Sequence, residues 1–115
     1  FSGTEHPASN MCNVPVPAYT RGMDVRELVE AMWMPRLEEF KPQMIFVSAG
    51  FDAHRDDDLG QLGLNENDYY WITSRIRDVA RRYSNGRIVS LLEGGYNLNA
   101  LASSVEAHIR VLAEL

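Results

Sequence analysis

Apolar and polar positions follow distinct rhythms along this chain, and each rhythm predicts an element. Residues 1–11 hold turn formers and no apolar period, which predicts a loop. Between Cys12 and Ala18, Val14 and Val16 alternate with Pro15 and Pro17, and the two missing amide donors predict an edge strand or an extended connector. From Asp24 the period lengthens. Asp24 with Glu27 has the form of a capping box, and Leu28, Met32, Leu37 and Phe40 can share one helical face. Pro35 should bend or split that helix, and Pro42 marks its exit. Met44 to Ser48 is a nearly continuous apolar run ending at Ala49-Gly50, the pattern of a strand buried on both faces. Asn67 then caps a helix with Ile72, Ile76, Val79 and Tyr83 on one face, ending at Asn85-Gly86. Arg87 to Leu92 repeats the buried-strand pattern up to Gly94-Gly95, and Leu101, Val105, Ile109 and Leu112 line a last helix.

The order helix, strand, helix, strand, helix predicts an α/β fold, a three-layer parallel sheet with flanking helices and right-handed crossovers. Ligands of open parallel sheets gather beyond the carboxyl ends of the strands, so the loops at Gly50 and Glu93 are where chemistry is expected.

Composition narrows the function. The 115 residues carry 11 basic and 16 acidic side chains, a net charge of −5, so no broad basic face is expected and no direct nucleic-acid partner. No apolar run approaches the roughly 18 to 20 residues of a membrane span, and no membrane partner is expected. The single cysteine, Cys12, closes no disulfide within the chain, which points to a reducing compartment: the cytoplasm for a bacterial-type protein, or the nucleus in a eukaryote. The chain starts at Phe1 and stops at Leu115 within a helical pattern, so it is expected to be part of something longer. Cutting a parallel sheet would leave an open edge, and homo-oligomer formation is then expected as well.

Two loops could carry chemistry. Ser48-Ala49-Gly50-Phe51-Asp52-Ala53-His54 puts a carboxylate at a strand end, among small residues that permit close backbone approach. Asp52 could ligate zinc there, with His54 as a second ligand or an outer hydrogen-bond partner; the competing reading is a capped turn. Asp56, Asp57 and Asp58 lack the spacing of a calcium loop and read as a solvated turn. In Leu92-Glu93-Gly94-Gly95-Tyr96-Asn97-Leu98 the glycine pair fits neither a dinucleotide fingerprint nor a P-loop. Tyr96 could donate a hydrogen bond to an oxyanion, or simply pack on a helix start. His6 and His108 read as satisfied or surface histidines, and Cys12 lacks a neighbouring base for nucleophilic work.

Taken with Asp57-Asp58-Leu59-Gly60 and with Phe1-Ser2-Gly3-Thr4 and Asn13-Val14-Pro15-Val16 upstream, these loops resemble the carboxyl-terminal third of the histone deacetylase superfamily. The likeness is to its class II-like branch, with bacterial histone deacetylase-like amidohydrolases and acetylpolyamine amidohydrolases. The resemblance implies an arginase/deacetylase-type fold, with residues 1–115 as the C-terminal portion of one catalytic domain. It implies zinc as cofactor, Asp52 as a zinc ligand and Tyr96 as the group that polarises the acetyl carbonyl. Gly94, Gly95, Leu59 and Phe1 match positions along the substrate channel, and His54 has no fixed role. The implied substrate is acetyl-lysine or a related acetylated amine. Alternatives are a small acetyl-amide such as an acetylpolyamine, or a non-catalytic α/β binding module. The family's paired general-base histidines and Asp-x-His zinc ligands are absent from these 115 residues, so the isolated chain is expected to be inactive. Asp58 stands where the family commonly has proline.

Overall fold

The computed structural model describes residues 8–114; Phe1, its neighbours to Thr4, and His6 lie outside them. The first helical stretch comprises α1 (Gly22–Leu28), a π-helical turn (Val29–Trp33) and α2 (Met34–Phe40). A strand β1 (Ile45–Ala49), helix α3 (Glu66–Tyr83), strand β2 (Ile88–Leu92) and helix α4 (Leu98–Leu112) complete the order. The strands are parallel, in register from Ile45 beside Ile88 to Ala49 beside Leu92, with α3 as the crossover. The α/β class and parallel sheet are therefore as the apolar pattern implied. Residues 12–18 form no strand, consistent with the extended connector that two prolines favour.

Helix α1 begins two residues before Asp24, at Gly22, and no side chain caps it. The split expected from Pro35 occurs just upstream of it. Met34 N–H bonds back to Val29 across the wide turn, and the proline, which has no amide to donate, enters the first turn of α2. The extra residue of the π turn rotates the helical face. Val29 and Met34 are buried against Val79, whereas Met32 and Phe40, expected inside, are exposed.

Helix α3 is capped by Asn65, not Asn67. Asn65 Oδ1 accepts from Asp68 N–H at 3.2 Å, and Asp68 Oδ2 accepts from Asn65 N–H at 2.9 Å, a reciprocal box. Asp68 also accepts from Arg26 at 2.9 Å, tying α3 to α1. On α4 the buried positions are Ala100, Ser104, His108 and Val111, with Leu101 and Val105 partly buried, and Ile109 is exposed. The stripe tolerates His108 because both ring nitrogens are satisfied, by Thr73 and by Ser90, each at 2.8 Å. Thr73 donates its proton to the Tyr69 carbonyl, so it accepts from Nδ1–H, and burial pushes the His108 pKa down.

Among the described residues the strands are covered on one face only. Ile45, Val47 and Ala49 pack on the helices, while the opposite face carries Phe46, which is 67% exposed, with Val89 and Leu91 also open to solvent. Among the described residues helices cover one face of the sheet, so each strand's solvent face keeps the apolar residues that made it look fully buried. A groove of about 1030 Å³ runs beside β1, between Cys12, Trp33, Phe40 and Phe46.

Candidate functional site

Both strands end on loops that the parallel register holds side by side. Glu93 N–H donates to the Ala49 carbonyl at 2.9 Å, and Phe51 N–H donates to the Gly94 carbonyl at 2.8 Å, extending the pairing past the sheet. The loop of Asp52 and the loop of Tyr96 are thereby brought to one edge, as the rule for parallel sheets anticipates.

Asp52 sits against backbone. A Cβ built on Gly94 would lie 3.1 Å from the Asp52 Cγ and Oδ2, a tight contact that would require a shift of a few tenths of an ångström, so the glycine lets the carboxylate sit close against the backbone. Gly95 follows at φ 141°, a conformation closed to most side chains, which swings the chain toward Tyr96. Phe51, beside Asp52, is buried and packs against Tyr69, the rings tilted by 55° with centroids 5.1 Å apart. The Tyr69 phenol is pushed up by burial, with Asp52 adding to the effect.

Tyr96 is 59% exposed, while its backbone amide is held by a buried carboxylate. What holds it is Asp57. This residue is only 3% exposed, so the solvated-turn reading fails for it. Its Oδ1 accepts from the amides of Leu59 at 3.0 Å and Gly60 at 3.4 Å. Its Oδ2 accepts from the amides of Tyr96 at 2.7 Å and Asn97 at 3.2 Å. Four donors, the Tyr96 amide foremost, hold the Asp57 carboxyl below the usual carboxylate range. Asn97 adds a bond from Nδ2 to the Asp56 carbonyl at 3.0 Å and caps α4 through Ala100 N–H. The one available signal was the Leu-Gly pair after Asp57, whose amides suit an Asp two residues earlier. Asp56 and Asp58 are exposed, as expected.

His54 is 1% exposed, and both its nitrogens are engaged. Nδ1 accepts from Asp56 N–H at 3.0 Å, leaving Nε2–H to donate to Glu66 Oε1 at 2.9 Å. It is a brace between this loop and α3, with both ring nitrogens committed to protein partners. Ser103 on α4 donates to the same Glu66 oxygen at 2.8 Å. The Glu66 carboxyl is lowered to about 2 by its own backbone amide and by Ser103, against a smaller desolvation effect, with His54 contributing further.

Leu59 is 71% exposed beside these loops, and Gly94 and Gly95 line the step from Asp52 to Tyr96. Phe1 lies outside the described residues. Among the described residues no group of three or more His, Cys, Asp or Glu gathers to hold a metal ion. Asp52 in its glycine cradle fits one carboxylate of a metal-ligand set, while a catalytic zinc needs about three protein ligands.

Comparison with known proteins agrees with this architecture. A family model described as Histone deacetylase domain matches residues 2–112. "Type-2 histone deacetylase 2" of Dictyostelium discoideum is 52% identical over 89 residues, 71% of this chain and 5% of that protein. "Histone deacetylase-like amidohydrolase" of Pseudomonas aeruginosa is 38% identical over 71 residues, 62% of this chain and 19% of its own length. The solved structure of the histone deacetylase Clr3 superposes with a TM-score of 0.80 at 31% identity, covering 90% of this chain and 17% of that one. The chain thus spans a fifth or less of each of these proteins.

Proposed function

We propose a function from the premise that the chain belongs to the histone deacetylase domain family: it supplies one wall of a zinc-dependent deacetylase site that removes acetyl groups from acetyl-lysine or a related acetylated amine. The observation that carries the reading is the pairing, at one sheet edge, of a carboxylate cradled by glycine with a tyrosine whose backbone is pinned and whose phenol is exposed.

Asp52 offers one oxygen ligand, and the remaining ligands come from parts of a longer domain. When bound, zinc supplies Lewis-acid polarisation of the acetyl carbonyl and a water of lowered pKa. The Tyr96 phenol donates a hydrogen bond to the carbonyl oxygen as that oxygen gains charge, so its contribution is largest in the transition state. Gly94 and Gly95 let an extended acyl chain approach the main chain, and Leu59 offers it an apolar side. With a single ligand and no general-base histidine pair, the isolated chain is inactive under this reading.

Acetate release separates the possibilities. The complete domain is expected to deacetylate an acetyl-lysine peptide or an acetylpolyamine, and the isolated 115-residue chain neither. Failure of the complete, metal-loaded domain on both substrates would overturn the enzyme reading in favour of a binding module.

A further inference from the structure

We propose that Asp57 is a positioning residue for the reaction, fixing through the amides of Tyr96 and Asn97 the backbone from which the Tyr96 phenol acts. The inference rests on the role given to Tyr96 above and deepens it.

Three observations lead there. Tyr96 is 59% exposed among the described residues, so the best-defined restraint on its phenol within this chain is the main chain that carries it. That main chain follows two glycines, the second at φ 141°, a segment with little stiffness of its own. The carboxylate that restrains it stands 39 positions earlier in sequence, buried, and accepts from the Tyr96 amide at 2.7 Å. Charge-assisted bonds to a buried carboxylate are stronger than neutral ones, and this one has both oxygens committed. Its other oxygen takes the amides of Leu59 and Gly60, so the same group sets the channel-side leucine and the phenol relative to each other. A loop that only needed closing would be served by the bond between Phe51 and Gly94. The Asp57 clip acts farther out, at the residue that carries the phenol.

The test is a double-mutant cycle in the complete deacetylase domain: Asp57→Asn, Tyr96→Phe and the pair. Asparagine keeps the shape but turns an amino group toward two amide donors. Asp57→Asn is expected to lower kcat about a hundredfold, the order of cost of a misplaced group. The KM for an acetyl-lysine peptide and the bound metal should be unchanged. In the Tyr96→Phe background the same substitution should cost no more than about twofold, because its effect runs through the phenol. Asp58→Asn, at the exposed neighbouring carboxylate, should leave turnover intact. Equal loss from Asp57→Asn in both backgrounds would make Asp57 a general support of the fold and overturn the proposal, as would unchanged kcat in the single variant. Full turnover in Tyr96→Phe alone would remove the reading of Tyr96 and the proposal with it, a result distinct from the first two. Should Asp57→Asn fail to fold, Asp57→Glu keeps the charge and moves it by one methylene: loss confined to kcat supports positioning, and wild-type kcat refutes it.

Discussion

Glu66 joins three segments through one carboxylate: its own amide at the start of α3, Ser103 on α4, and the His54 ring from the Asp52 loop. Its pKa falls from 4.5 in the unfolded reference to about 2, so between those values the native state binds fewer protons than the unfolded one. The stability it contributes is complete above about pH 4.5 and is lost as pH drops toward 2. Urea midpoints measured from pH 6 to pH 2 should therefore fall less steeply for Glu66→Gln than for the wild type; parallel curves would refute the assignment. The sequence left His54 open between ligand and outer partner, since an Asp-Ala-His stretch reads the same either way. Its role follows from Glu66, twelve residues downstream, which spacing alone does not bring near. Asp57 escaped the sequence for a related reason. Three consecutive aspartates look like solvated charge, and the Leu59-Gly60 pair was the one hint as to which turns inward.

At the scale of elements, the strands were legible because five-residue apolar runs have few alternatives between glycine and proline stops. Helix boundaries were less so. The cap expected at Asn67 falls at Asn65, because Asp68 completes the box with Asn65 and is itself fixed by Arg26. Asn65→Ala should lower unfolding free energy by about 1 kcal/mol, the usual cost of losing such a cap. A denaturation curve superimposable on the wild type would show that the box contributes nothing. The face of the first helical stretch was misread because a π turn breaks the 3.6-residue period on which the reading depended. The apolar runs report what a strand can bury on each face, and among the described residues only the face carrying Ile45, Val47 and Ala49 is covered.

The molecule as a whole is a crossover that carries two strand ends to one edge and stitches their loops together with main-chain and carboxylate bonds. The candidate site was legible in outline, Asp52 and Tyr96 at adjacent strand ends, because topology alone brings those loops together. The clip and brace that hold it, Asp57 and the His54–Glu66 pair, were not, since they depend on contacts distant in sequence. Metal content, read beside turnover, tests the central claim most directly in the complete domain. Asp52→Ala is predicted to lose the zinc, and Tyr96→Phe to keep it while turnover falls by about a hundredfold to a thousandfold, the cost of removing one oxyanion donor. Retention of both metal and turnover in the two variants would contradict the account.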